Sequence, residues 1–234
     1  MEQKIIIKNR FFSLLGESLR LFNETEKCDD ETLKNCLITS SILTCAYSLE
    51  AAANSVLETV EPKVSERDYS TLGKFTLGLE HHLDKKMNKG CPEYQNVKAL
   101  LEHRNEHVHP KVFTKDVKIQ TKKSDDDFSW HNKSIEKEPK KRNLQNISSD
   151  SEHWQVSDAK IAIKAVIEFL NIYVCEWCGL DESVRDYVFL PQSNIAKNGE
   201  TRMYDINTLK MLKTYESSFT INFISIPALP EGCA

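Results

Sequence analysis

Residues 29–62, DDETLKNCLITSSILTCAYSLEAAANSVLETVEP, decide the fold class. Apolar side chains recur at Leu33, Cys36, Leu37, Leu43, Ala46, Tyr47, Ala53, Leu57 and Val60, at the three-to-four spacing of a helix rather than the alternation of a strand. Asp29, Asp30 and Glu31 place negative charge where the first turn of a helix leaves its N–H groups unpaired. Pro62 pushes the residue before it out of the α region. One helix of about thirty residues is predicted between these signals, and the chain is read outward from it.

On the N-terminal side, Ile7, Phe11, Leu14, Leu15, Leu19 and Phe22 predict a helix over residues 5–24. On the C-terminal side, Leu72, Phe75, Leu77 and Leu79 predict a third helix over 68–82, in which Gly73 and Gly78 each cost about 1 kcal/mol relative to alanine. Lys89 to Pro92 reads as a turn; Pro92 suits a first helical position, and the fourth helix runs to Val108 or His109, where Pro110 ends it. From 112 to 154 the period dissolves into Lys, Asp, Ser, Asn and Glu, with alternating pieces such as 112–119 that suit a hairpin or edge strand. Helical spacing returns at Ile161, Ala165, Val166, Phe169, Ile172, Tyr173 and Trp177, with Ser157 as the expected N-cap and Gly179 as the stop. A short helix is expected over 182–188. Phe219, Ile221, Phe223 and Ser225 alternate with Thr220, Asn222, Ile224 and Ile226, the pattern of a strand. The expected fold is mainly α, an up-and-down helical bundle built from residues 1–111 and 156–180, with a polar insertion at 112–155 and a C-terminal strand or extension at 181–234 packed on the bundle.

The chain has 234 residues, of which 40% are hydrophobic and 28% charged, too apolar for a disordered protein and enough for one large domain. No run approaches the roughly 20 uninterrupted apolar residues of a bilayer span, so no membrane association is expected. The start, MEQKIIIKNRFFSLLG, has neither a long apolar core nor a small-residue cleavage site, which predicts a cytoplasmic protein. Seven cysteines form an odd, scattered set, so reduced thiols are expected. Cys175 and Cys178 have metal-ligand spacing but neither a second such pair nor a nearby histidine; they read as small core residues, and no metal is expected. The net charge of −4 excludes a uniformly basic nucleic-acid coat. Residues 111–142 nevertheless hold ten Lys and Arg against six Asp and Glu, leaving −8 for the remainder; that stretch is either a solvated loop or a phosphate-tracking arm. No phosphate-binding glycine loop, HExxH or Gly-x-Ser-x-Gly occurs, so nucleotide hydrolysis, dehydrogenase chemistry, zinc proteolysis and the usual esterase geometry have no support.

The fourth helix carries the residues of chemical interest. At about 100° per residue, Val97, Leu100, Leu101, Arg104 and Val108 form one narrow stripe with Arg104 in its middle, and a guanidinium aimed at an apolar surface requires a carboxylate, a phosphate or water. Asn105 and His109 lie one turn apart on one flank and His107 lies on the other. In the long second helix, Glu50 and Asn54 are the polar exceptions on the face shared by Leu43, Ala46, Tyr47, Ala53 and Leu57, so Glu50 is expected to face Arg104. Such a pair also suits a purely structural role, holding two helices in register.

The string Arg104-Asn105-Glu106-His107-Val108-His109-Pro110-Lys111 resembles the signature of the HEPN (higher eukaryotes and prokaryotes nucleotide-binding) superfamily: an arginine, a polar residue after it and a histidine four to six positions beyond. The segment from Ala46 to Asn54 is similar to the long helix of HEPN-like bacterial proteins, and the resemblance covers about residues 5–110 and 157–178. It implies a metal-independent endoribonuclease, or a retired one, that needs no cofactor. In that reading His109 moves the proton of the 2′-hydroxyl or the leaving oxygen, Arg104 clamps phosphate oxygens and Asn105 orients either. Lys111 touches RNA backbone, and His107 is either a second proton-transfer group or a surface histidine; His81, His82 and His103 are expected at the surface. One motif supplies one histidine, so the resemblance implies a homodimer with two motifs in one groove, a role in stress or defence, and an antitoxin or regulatory protein partner. The alternative is a noncatalytic scaffold, in which Arg104 pairs with Glu50 and His109 caps its helix, or a module that binds RNA or nucleotide without turnover.

Overall fold

The computed structural model describes residues 6–7, 9–60, 65–109, 117–124, 127–134, 147, 151–194, 200–201 and 204–229. They form a mainly helical protein around one apolar core. Helix α1 (Phe11–Thr25) starts later than its apolar period suggests, because Asn9 interrupts it: the Asn9 Oδ1 accepts the Phe11 N–H at 2.8 Å while its Nδ2 donates to the Val188 carbonyl at 2.7 Å. Upstream, Ile6–Ile7 is a strand, β1, rather than the first turn of that helix, consistent with the β preference of branched side chains.

Helix α2 (Glu31–Val60) runs unbroken for 30 residues, opened by Asp30, whose Oδ1 accepts the Leu33 N–H at 2.9 Å. Its buried face, which includes Ile42, Cys45, Leu49, Ala52, Val56 and Leu57, is broader than the stripe anticipated, and Tyr47 lies at its exposed edge. By length and composition alone α2 is apolar enough to cross a membrane, although polar residues interrupt it and half of its most apolar window is buried inside the protein. Small serines and threonines interrupt the apolar run without making it polar. One of these serves packing: Ser41 Oγ donates to the Ser18 carbonyl of α1 and Ser18 Oγ to the Ser41 carbonyl, each at 3.0 Å, tying α1 to α2 without an unpaired hydroxyl.

Helix α3 (Thr71–Leu83) is capped by Ser70, and α4 (Pro92–Val108) begins with Pro92 as expected. Helix α5 (Val156–Asn171) starts two residues earlier than a Ser157 cap requires, because the Asp158 carboxylate reaches back to accept the Gln155 N–H at 2.8 Å. It continues as a π-helical turn, Ile172–Cys178, that ends at Gly179 with φ +63°. Here Tyr173 packs against both Phe75 and Phe169, which also touch each other, and its hydroxyl donates to the Phe75 carbonyl at 2.9 Å. Gly78 allows that approach, since a Cβ there would stand 2.7 Å from the Tyr173 oxygen.

The insertion contains an antiparallel hairpin, β2 (Val117–Ser124) with β3 (Asp127–Ser134), and returns to the bundle through Ile147 and Trp154, both buried. The C-terminal region contains α6 (Glu182–Phe189), β4 (Gln192–Asn194), β5 (Glu200–Thr201) and α7 (Ile206–Phe219), with residues of α6 and α7 in the apolar core. Strand β4 pairs antiparallel with both β1 and β5. The strand anticipated over 219–226 is absent: Phe219 ends α7, Thr220 caps it at φ +53°, and the following chain is irregular. Side chains take the backbone donors a strand would have used, Asn171 Oδ1 accepting the Asn222 N–H and Asp186 Oδ1 the Ser225 N–H. Phe223 then enters the core against Phe11 and Phe189.

Candidate functional site

Three elements converge on a cleft of about 670 Å³. Helix α2 contributes Glu50 and Asn54, four residues apart and so one above the other. The segment entering α3 contributes Arg67, Tyr69, Ser70 and Thr71, and the first turns of α3 add Leu72 and Lys74. From α4 come Tyr94, Lys98, Leu101, Arg104 and Asn105, which follow helical spacing along one side. The approach to α3 is fixed by two serine caps, Ser65 accepting the Arg67 N–H at 3.3 Å and Ser70 accepting the Gly73 N–H at 3.1 Å. At the start of α4, the Cys91 sulfur accepts the Tyr94 N–H at 3.5 Å, and burial pushes both the Cys91 thiol and the Tyr94 hydroxyl above their ordinary pKa values.

Arg104 meets the partner its position demands. Its Nη2 lies 3.2 Å from Glu50 Oε2, and its guanidinium carbon is 5.6 Å from the centre of the Tyr47 ring. The side chain is 18% exposed. Glu50 engages Nη2 alone, and the buried Nε has no hydrogen-bond partner among the described residues. The guanidinium is therefore paired but not saturated.

Asn105 lines the cleft beside Arg104, whereas His109 does not. The reason is helical geometry: five residues at about 100° each set His109 about 140° around the axis from Arg104, and about 7.5 Å along it. His109 is the exposed C-cap of α4, its N–H donating to the Asn105 carbonyl at 2.9 Å and its backbone leaving the helical region at φ −123°, ψ 66°. His107 is also outside the cleft. Its Nδ1 is 3.0 Å from Ser151 Oγ and its ring stacks on Trp154, so it fastens the returning insertion to α4 and is not positioned to bind a substrate in the cleft. Asn54, the other polar exception of α2, supports Lys74: its Oδ1 accepts from the ammonium at 2.5 Å. His103, expected at the surface, is buried at 3% exposure, because α4 buries a second strip through Ala99 and His103 in addition to Val97 and Leu100. Lys111 lies outside the described residues.

Sequence reading missed Arg67, Tyr69, Lys74, Tyr94 and Lys98 as parts of this cleft. Lys74 carried a usable signal, a cation in the first turns of a helix beside Leu72 and Phe75, where a solvated lysine is not the natural outcome. Among the described residues the lining carries four cations, Arg67, Lys74, Lys98 and Arg104, against the carboxylate of Glu50, together with amide and tyrosine side chains. This is the chemistry of an anion site with room for an aromatic or sugar moiety. Among the described residues no group of three or more His, Cys, Asp and Glu could hold a metal ion. In comparisons with protein-family models, curated proteins and solved structures, nothing matches the chain.

Proposed function

We propose that this protein acts on RNA: the cleft between α2, α3 and α4 takes the phosphodiester backbone, and the HEPN-like string Arg104-Asn105-His109 cleaves it by 2′-hydroxyl attack without a metal. The observation that carries the reading is Arg104, an incompletely paired guanidinium lining a cleft in which cations outnumber carboxylates four to one among the described residues. Arg104 would hold nonbridging oxygens and Asn105 would orient the phosphate at the rim. His109 stands exposed one turn beyond Asn105, outside the cleft of its own chain, so the reading requires a homodimer in which one chain's histidine meets RNA held by the other. A cytoplasmic role in stress or defence, restrained by an antitoxin or regulatory protein, belongs to the same proposal.

The second reading, a noncatalytic HEPN-like scaffold or binding module, is favoured by the Arg104–Glu50 ion pair and by the structural use of His107. Incubation of single-stranded RNA in EDTA with the native protein, Arg104→Ala and His109→Ala separates the two. Cleavage by the native chain, lost by at least about a hundredfold in each variant, is expected. RNA left intact by the native protein ends the nuclease reading.

A further inference from the structure

The inner wall of the cleft holds a charge that no carboxylate among the described residues balances. Lys74 is 4% exposed, and its ammonium donates to the Asn54 amide oxygen. No carboxylate lies within ion-pair reach of it among the described residues. An ammonium has three donors, and an amide oxygen supplies neither the remaining acceptors nor a countercharge. A buried cation left in that state is costly unless an anion completes it. Lys74 is also placed where an anion is otherwise welcome. It sits in the first turn of α3, whose N-cap residue uses its side chain for the Gly73 N–H and its carbonyl for the Lys74 N–H. The N–H groups of Thr71 and Leu72, also in the cleft wall, have no intrahelical acceptor and add the positive end of the helix dipole.

We propose that Lys74 and the first turn of α3 form a phosphomonoester site beside the diester that Arg104 holds, and that the cleft takes a nucleotide unit by its terminal phosphate. The charge among the described lining residues accommodates both. Four cations and one carboxylate leave a surplus of three positive charges, which a terminal phosphate at about −1.5 to −2 and an adjoining diester at −1 together offset. The volume, about 670 Å³, falls in the roughly 300–1,000 Å³ range of small-molecule sites and suits a nucleotide unit rather than a duplex. Tyr69, 39% exposed in the lining, offers a ring on which a base can stack. The site rests on the reading of this cleft as the RNA site, and its occupant is either the phosphorylated end of an RNA or a free nucleotide, which share this chemistry.

The test uses the full chain and probes that cannot be cleaved by 2′-hydroxyl attack: labelled 2′-O-methyl oligonucleotides carrying either a 5′-phosphate or a 5′-hydroxyl, followed by fluorescence anisotropy. Adenosine 5′-monophosphate and adenosine serve as competitors. The phosphorylated oligonucleotide, or the monophosphate in competition, is expected to bind at least about tenfold more tightly than its dephosphorylated counterpart, the value of one charge-assisted hydrogen bond. Lys74→Met should remove that preference while leaving the hydroxyl-terminated probe bound, and Lys74→Arg should keep most of it. Preference confined to the oligonucleotide assigns the RNA end, and displacement by the monophosphate assigns the free nucleotide. Equal binding of phosphorylated and dephosphorylated forms by the native protein overturns the site, a result that needs no variant to fold; so does a folded Lys74→Met protein that retains the preference. The cleavage reading fails separately: if RNA survives in EDTA while the phosphate preference persists, only the nuclease falls.

Discussion

Replacing Glu50 by glutamine tests whether the cleft is built for an anion. Among the described residues Glu50 is the single carboxylate in the lining, 39% exposed, with Oε2 at 3.2 Å from Arg104 Nη2. In a structural ion pair its loss costs stability and nothing else; exposed or half-exposed pairs contribute about 0.2–1 kcal/mol, so a small loss is expected in either reading. In an anion site the same carboxylate repels the ligand and competes for Arg104. A phosphate against the guanidinium would stand about 5 Å from Glu50, where like charges repel by about 0.8 kcal/mol at the dielectric constant of water and by more in the partly enclosed cleft. Glu50→Gln is therefore expected to tighten binding of a phosphorylated, noncleavable oligonucleotide by about fivefold at low salt, with the gain shrinking as ionic strength rises. Anisotropy titrations at two salt concentrations, beside a thermal melt, measure both effects. Unchanged or weaker binding by a folded Glu50→Gln protein would refute the argument, because the pair would then be holding helices and not tuning a site.

Gly78→Ala should destabilise the fold by about 1–3 kcal/mol, since the new methyl meets both the Tyr173 hydroxyl and a Val56 methyl; a fall in melting temperature of about 3–10 °C reports it. Asp205 caps α7 by accepting the N–H and hydroxyl of Thr208, at 2.9 and 2.8 Å, and these bonds hold its pKa below the ordinary carboxylate value. Its contribution is accordingly present in full above that ordinary value and disappears as pH falls through the lowered one, so Asp205→Ala should cost about 1 kcal/mol at neutral pH, and chemical denaturation should show the difference vanishing in acid. Mixing Arg104→Ala with His109→Ala should restore part of the RNA cleavage that neither has alone if the two groups act across a dimer; no recovery in mixed dimers would count against a shared site.

Much of the bundle was legible because its signals are local. Pro92, the acids at 29–31 and Gly179 mark helix ends by backbone chemistry that operates wherever they occur. The reading failed where a distant residue settles the outcome. Residues 219–226 alternate like a strand, yet Asn171 and Asp186, remote in sequence, take the backbone donors a ladder would need. Within the site, Arg104 and Glu50 were legible because each breaks an apolar stripe, and such breaks seek one another across adjoining helices. Lys74 and Asn54 show the limit of the same reasoning: Asn54 was visible as an exception, but its partner enters from α3, whose approach depends on the caps at Ser65 and Ser70. His103 was misplaced because the burial of a helix flank depends on the neighbour it meets.

The charge distribution bears on how an anionic ligand reaches the cleft. The chain carries −4 overall, so its average field repels a polyanion; nonspecific coating of RNA is disfavoured at any distance where that average acts. Screening limits this field to about 8–10 Å in physiological salt, within which local clusters dominate. Among the described residues four cations, from α3, the segment entering it and α4, line the cleft, where low-dielectric surroundings strengthen their combined attraction. A ligand that presents its charge at one point, as a terminal phosphate does, gains that attraction while keeping the rest of its length away from the acidic remainder. A long backbone laid across the surface gains the same contacts but meets the repulsion along its whole course. The arrangement thus favours recognition of an end or a single nucleotide over tracking along a strand.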